Sequence, residues 1–347
     1  MERVSLIDTA KGLSILLVAL HHSNLKNIFP ELIEPMGLFR MPTFFLLSGI
    51  FFSFAAPPTK FFLKKTNALL KPYFVVLIAL SIINLLTQNE MLLWYLKGMF
   101  WGNGGTIQWV ALWYLTHLFV LFCSAFLLCS YTPFLKIPSL FQWLMLLILL
   151  VFGSSIIDLV YNVPIQLLGL EVNLPGLPFS IDILPMSLPY FLAGYLLRAT
   201  LLKFRPNVYY TFMTFVILIT IITFTDAKLD FNERVFQPFP ATVLASICGI
   251  YLLISFSWIC TKVNFVANGL QSLGSASLFI LLFHIPIGGW FYNYSFSYSS
   301  SDNWLIFCSL CSFILSFTLP IIIKKGVASS HILSLLMLPT LNKEKSA

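Results

Sequence analysis

The amino-acid sequence predicts an all-α, polytopic integral membrane protein with about ten transmembrane helices. Of the 347 residues, 59% are hydrophobic and only 10% are charged, which leaves too little polar surface to cover a soluble globule. The apolar stretches run continuously for about 20 residues, whereas the strands of a membrane barrel are about 10 residues long and alternate in polarity. Lipid is therefore the expected solvent, and the helix is the expected spanning element.

Ten apolar stretches of roughly spanning length follow one another along the chain. They lie at Ala10–Ile28, Gly37–Ala55, Pro72–Leu86, Val110–Cys129, Leu140–Ile157, Ile183–Leu202, Val208–Thr225, Pro240–Cys260, Ser275–Asn293 and Trp304–Ile323. Met91–Trp101 is too short to span and is expected at the interface. The loops are short, which predicts one membrane domain at residues 1–326 and a cytoplasmic C-terminal tail at residues 327–347.

The charged residues predict that both termini are cytoplasmic. Lysine and arginine collect on the cytoplasmic side of short loops, and an inside N-terminus places most of the 20 basic residues there. The lysine-rich loop Pro57–Lys71 is then cytoplasmic. The loop Asp158–Asp182 has no lysine or arginine, and we expect it to form a structured exterior loop near the mouth of a site.

Composition also excludes several kinds of function. The net charge of +7 indicates topology and affinity for anionic membrane lipids, so no nucleic-acid partner is expected. The six cysteines all fall in predicted spans, where they behave as small apolar residues. Zinc, EF-hand and nucleotide-loop motifs do not occur, so no metal is implied.

One polar stripe follows the first helix. Asp8, Lys11 and His22 fall within a sector of roughly 60° at about 100° per residue, whereas His21 points to another face. Asp8 and Lys11 suit an i,i+3 ion pair at the cytoplasmic interface, and His22 lies about 16 Å deeper in the membrane. Structural alternatives stay open: a snorkelling lysine, a helix-start aspartate and an interhelical hydrogen bond.

Several motifs resemble a known family. The first predicted helix begins with D-x-x-K-G at Asp8, and His22 follows Lys11 by eleven positions. The second motif is R-M-P-T-F-F-L-L-S-G, at Arg40–Gly49. This pattern resembles the membrane-bound acyltransferase family 3, which includes bacterial cell-surface sugar O-acetyltransferases. Further blocks follow in the family's order: Leu70–Tyr73, Leu112–Leu115, Leu188–Gly194, Ser272–Gly274 and Leu282–Pro286.

The resemblance implies an acetyl-CoA-dependent O-acetyltransferase of the bacterial cytoplasmic (inner) membrane. Its acyl group would come from cytoplasmic acyl-CoA, and its acceptor would be a hydroxyl of a surface glycan or a lipid-linked sugar precursor. Many members carry arginine where this chain has Lys11, and the lysine resembles the fucose 4-O-acetylase-like branch. An ammonium is a point donor, so its contact with CoA phosphates is less directional.

We therefore predict catalytic roles for His22, Asp8 and Arg40, and donor binding by Lys11. Acyl transfer from a thioester to a hydroxyl needs a base near neutrality and a group that stabilises the oxyanion. Arg40 lies at the outer start of the second predicted helix, where an interfacial anchor is the structural alternative.

Trp113, Tyr114 and His284 are the predicted substrate-binding residues, and His117 lies near the first two. The structural alternatives are that Trp113 and Tyr114 belong to the aromatic belt at the membrane interface, and that His284 and His117 are structural. An exporter of a polysaccharide or lipid-linked intermediate is the alternative function, although no internal symmetry is visible. A purely structural subunit would not need buried ionisable groups.

Overall fold

The computed structural model describes residues 5–88, 92–167, 170–296, 298 and 301–339. Its α-helices are α1 (Ser5–His21), α2 (Leu25–Ile28), α3 (Pro30–Ile33), α4 (Gly37–Ile50), α5 (Pro58–Lys65), α6 (Lys71–Gln88), α7 (Leu92–Trp101), α8 (Trp113–Tyr131), α9 (Ser139–Val160), α10 (Leu184–Leu196), α11 (Arg198–Leu202), α12 (Val208–Phe224), α13 (Phe239–Cys260), α14 (Asn264–Ser275), α15 (Ser277–Phe296), α16 (Asp302–Ser329) and α17 (His331–Met337). Two antiparallel hairpins pair β1 (Tyr161–Leu167) with β2 (Leu170–Pro175), and β3 (Lys228–Asp230) with β4 (Val235–Gln237).

The predicted all-α, polytopic membrane class is confirmed, and each of the ten predicted spans overlaps one or two helices. In the described part of the chain, six helices are long and apolar enough to cross a membrane, or seven if α14 and α15, bent by 82°, count as one span. The six lie at Pro58–Thr87, Val110–Tyr131, Ser139–Ile157, Pro178–Leu196, Phe239–Cys260 and Asp302–Ser329. The count of ten spans stays a prediction.

The chain divides into two compact units, which are described separately. The first comprises Met1–Phe51 and Met186–Ile322, and the second comprises Phe52–Pro185 and Ile323–Ala347. The predicted boundary between a membrane domain and a tail at residue 326 falls inside α16 and stays a prediction. Residues 340–347 of that tail lie outside the described residues.

In the first unit, α1 packs against α4, α13, α14 and α15. Its contact with α14 brings the two backbones together, because a Cβ on Gly12 would fall on the Leu270 carbonyl oxygen, and a Cβ on Gly274 would fall on that of Asp8. Small residues allow such close approach between helices in a membrane. These contacts hold α1 in position along its N-terminal half.

The helix α4 is packed from two directions within the same unit. A Cβ on Gly49 would fall on the Phe191 carbonyl oxygen of α10. Phe231, which follows β3 and is fully buried, packs edge-on against Phe45 of α4 with 5.0 Å between ring centroids. The β3–β4 hairpin is therefore seated on α4 by its apolar side chains.

In the second unit, the C-terminal helix α17 is tied to the start of α6. The Lys71 ammonium donates to the carbonyl oxygens of Leu335 at 2.7 Å and Leu338 at 2.5 Å, which caps the last turn of α17. The predicted exterior segment Asp158–Asp182 is a structured element: α9 continues into it as far as Val160, and the β1–β2 hairpin follows.

Candidate active site

The helix α1 ends earlier than the sequence predicted. It stops at His21, and His22 is the first residue of the following turn, although its N–H still donates to the Val18 carbonyl at 3.2 Å. Ser23 then bonds the Leu20 carbonyl oxygen with both its N–H at 3.1 Å and its hydroxyl at 2.7 Å, which tightens the chain away from the helix axis. His22 therefore lies in a turn, where the residue is exposed in the protein alone while its ring contacts two other histidine rings. Its catalytic role stays a prediction.

Three histidine rings meet at this end of α1. The centroid of the His22 ring lies 5.3 Å from that of His284 on α15 and 5.3 Å from that of His21. His284 is only 2% exposed, and its Nδ1 lies 2.7 Å from the Ile280 carbonyl oxygen and 3.1 Å from that of Leu281. Carbonyls only accept, so Nδ1 carries the hydrogen and Nε2 of the neutral ring carries the lone pair. Within the described residues, that Nε2 atom has no hydrogen-bond partner.

Arg40 is buried one turn into α4. Its side chain is 4% exposed, and its Nε and Nη1 atoms lack a hydrogen-bond partner among the described residues. The carboxylate of Asp230, on β3, interacts with it electrostatically. The observed burial does not fit an interfacial anchor. Donors left open in a buried guanidinium suit the stabilisation of a developing negative charge.

A cavity of about 590 Å³ opens beside the histidines, within the first unit. It is lined by His21, by the chain between α1 and α4, by Gly37 and Leu38 of α4, and by the segment that runs from the end of α12 into the β3–β4 hairpin. Its volume lies in the range of small-molecule sites. The arrangement offers a ligand-sized pocket lined by His21, whose ring contacts that of His22, and by Asp230, which interacts with Arg40.

Comparison with protein-family models matches residues 4–323 to the acyltransferase domain of acyltransferase family 3. The chain belongs to acyltransferase family 3. Searches among curated proteins and solved structures find no match. The family resemblance and the membrane acyltransferase function are thus confirmed, and membership supports an enzyme over an exporter.

Asp8 and Lys11, the other predicted site residues of the first helix, lie in the half of α1 that is farther from His22. Lys11 is half-buried, and its ammonium lies 4.2 Å from the centroid of the Phe51 ring. Asp8 interacts with it electrostatically from one helical turn away. His22 follows Lys11 by eleven positions, which corresponds to about 16 Å at 1.5 Å per residue.

Trp113, Tyr114 and His117 belong to the second unit of the acyltransferase. All three are buried at the start of α8, and the Trp113 ring lies 6.3 Å from that of Tyr114 and 5.8 Å from that of His117. Burial argues against a lipid-facing aromatic belt. The substrate-binding role of Trp113 and Tyr114 stays a prediction.

Sequence reasoning missed the residues that the β3–β4 hairpin contributes. Asp230 interacts electrostatically with Arg40, and Asp226 and Glu233 line the cavity, yet none of these acids was a predicted site residue. His21, which was expected on another face than His22, also lines the cavity. The grouping of acidic residues between positions 226 and 233 was the available signal in the sequence.

Proposed function

We propose that this acyltransferase moves an acetyl or other short acyl group from cytoplasmic acyl-CoA to a hydroxyl of a cell-surface polysaccharide or its lipid-linked precursor. We place it in the bacterial cytoplasmic membrane with both termini inside. The observation that carries the proposal is the contact between the ring of His22 and the ring of the buried His284, whose Nε2 atom has no hydrogen-bond partner among the described residues.

His22 acts as the general base in this proposal. One ring nitrogen takes the proton from the acceptor hydroxyl while the hydroxyl oxygen attacks the thioester carbon. The carbon–sulfur bond then breaks, and the CoA thiolate takes the proton from the imidazolium. The products are the sugar ester and CoA with a free thiol. Exposure of the His22 ring favours this role, since a substrate can reach it.

His284 and Arg40 support the base in different ways. The hydrogen bonds from Nδ1 of His284 to α15 hold its ring with Nε2 as an acceptor, so it can receive a hydrogen from His22 and leave the other His22 nitrogen basic. Arg40 supplies N–H donors for the oxyanion of the tetrahedral intermediate. Both groups are buried, which strengthens their electrostatic effect.

In this proposal Lys11 and Asp8, near the other end of α1, bind the acyl-CoA donor. The Lys11 ammonium offers a positive charge to the CoA phosphates on the cytoplasmic side. The distance of about 16 Å along α1 is bridged by the extended pantetheine arm, which brings the thioester towards His22. Asp8 orients the lysine and the start of the helix.

The test uses inverted membrane vesicles, in which the cytoplasmic face is outward, and radiolabelled acetyl-CoA. Label is expected in the lipid-linked or polysaccharide fraction. His22→Ala should lower this transfer about 10²–10⁴-fold at matched protein level, the usual contribution of a positioned base. His21→Ala should be mild by comparison, because its ring is not the base.

His331→Ala is the matched control, since it removes an exposed imidazole from α17 in the second unit. It should transfer label normally. Absence of labelled glycan with the unaltered protein contradicts the function. Loss of activity in His21→Ala with near-normal activity in His22→Ala contradicts the assignment of the base.

A further inference from the structure

The cavity beside the histidines has a charge opposite to that of the whole chain. Five carboxylates line it, against the two lysines Lys26 and Lys228, which is an excess of three negative charges with His21 neutral. The protein as a whole carries a net charge of +7. The five acids are Glu31, Glu34, Asp226, Asp230 and Glu233.

Three of these acids are engaged with the protein. Glu34 pairs with Lys26 at 3.9 Å. Asp230 accepts the N–H of Glu233 at 3.0 Å and also that of Asn232, and Glu233 accepts from the Asn232 amide at 2.7 Å. These bonds shape the walls of the cavity.

Glu31 and Asp226 remain available to a ligand. Both side chains are exposed, and neither has an ion-pair or hydrogen-bond partner among the described residues. They come from different segments, since Glu31 belongs to α3 and Asp226 precedes β3. The Nδ1 atom of His21, which also lines the cavity, is buried without a hydrogen-bond partner within the described ranges. Polar groups from three segments of the chain therefore lack protein partners.

We propose that this cavity binds the acceptor sugar and selects a sugar that carries an amino group over one that carries a carboxylate or phosphate. That the bound sugar is the acceptor rests on the proposed function. The preference for a sugar with an amino group rests on the charged residues that line the cavity. Free carboxylates accept hydrogen bonds from sugar hydroxyls and pair with an ammonium. An anionic sugar meets a lining in which acidic side chains outnumber lysines.

The architecture suits a preformed site. The buried side chains of Leu229, Phe231 and Phe236 anchor the hairpin that forms part of the lining. Asp230, which lies between Leu229 and Phe231, is thereby held at the cavity. A metal ion is not the occupant that the lining favours, because no group of three or more His, Cys, Asp or Glu in the described residues is placed to hold one. His21 connects the cavity to the ring of His22.

The experiment measures binding directly, by saturation-transfer NMR on the purified full-length protein in nanodiscs at low ionic strength. The probes are glucosamine, methyl glucoside and glucuronic acid, which are cationic, neutral and anionic. Glucosamine should bind about tenfold more tightly than glucuronic acid, with methyl glucoside between them. Raising the salt concentration should reduce this ratio, because exposed charges are screened.

Substituting acidic and basic residues of the cavity lining should change the ratio of glucosamine to glucuronic acid affinity in opposite directions. Glu31→Gln combined with Asp226→Asn should lower the ratio of glucosamine to glucuronic acid affinity about tenfold, and Lys228→Gln should raise it. Asp302→Asn, which removes an exposed charge at the start of α16 outside the cavity, should leave the ratio unchanged.

Equal binding of glucosamine and glucuronic acid, no binding of any probe, or a ratio that none of the lining variants changes would overturn the proposal. The outcome is separate from that of the transfer assay. Charge-selective binding without acyl transfer would refute the function and keep the site, whereas efficient transfer to an anionic acceptor would keep the function and refute the selection.

Discussion

The His22 ring, at the end of α1, lies 5.3 Å from the ring of His284 on α15. His284 is anchored by two carbonyl oxygens of its own helix, so its position does not depend on substrate. The exposed His22 is thus placed against a fixed, buried acceptor. This relationship gives the base a defined orientation, which a lone imidazole in a turn would lack.

His284 should act as a positioning residue. His284→Phe is expected to lower kcat about 10-fold to 100-fold, with less change in KM, and to shift the acidic limb of the pH–rate profile, since that limb reports ionisation of the base. His284→Gln keeps a hydrogen-bond acceptor and should retain more activity. An unaltered pH profile in a slow His284→Phe protein would indicate a packing role alone.

Arg40 should matter for the reaction more than for stability. Arg40→Lys keeps the charge but loses the planar fork, so acyl transfer should fall about 10²–10³-fold. Arg40→Met combined with Asp230→Asn removes both members of the interacting pair and should not lower the thermal unfolding temperature in detergent. A double variant that unfolds at clearly lower temperature would assign the pair a structural role.

Lys11 should affect the donor. Lys11→Gln is expected to raise the KM for acetyl-CoA, and Lys11→Arg should be partly tolerated. Phe51→Leu is the matched control, because it removes the ring beneath the ammonium but keeps the charge, so the KM should change little. Normal kinetics in a well-expressed Lys11→Gln protein would remove this residue from the mechanism.

The contact between α1 and α14 should be sensitive to a single methyl group. Gly12→Ala places a Cβ on the Leu270 carbonyl oxygen, and overpacking of this kind costs about 1–3 kcal/mol. Gly269→Ala is the control on α14, since a Cβ there meets nothing within 4 Å. Thermal unfolding should show a lower midpoint for Gly12→Ala only; equal midpoints would contradict the packing.

The topology is tested by labelling single cysteines with a membrane-impermeant maleimide in intact cells, after the six natural cysteines are replaced. Asn173→Cys, exposed on β2, should react from outside, whereas Lys64→Cys, exposed on α5, should react only after permeabilisation. Exterior labelling at position 64 would overturn the ten-helix topology.

The sequence by itself determined the class of the protein, the approximate positions of its apolar helices, and the polar residues Asp8 and Lys11 on α1 and His22 just after it. These are local properties, because hydrophobic length and helical periodicity are read from neighbouring residues. The motifs around His22 and Arg40 also identified the family, since their order along the chain is specific.

Only the tertiary structure decided where α1 ends, that His22 is exposed, and that its ring meets His284. It also brought Asp226 and Glu233 to a cavity beside His21. These features depend on packing between segments distant in sequence, such as the seating of the β3–β4 hairpin on α4 by Phe231 and Phe45. Hydrophobic patterning carries no information about which segments meet, so the sequence could nominate single residues but could not show which of them lie together.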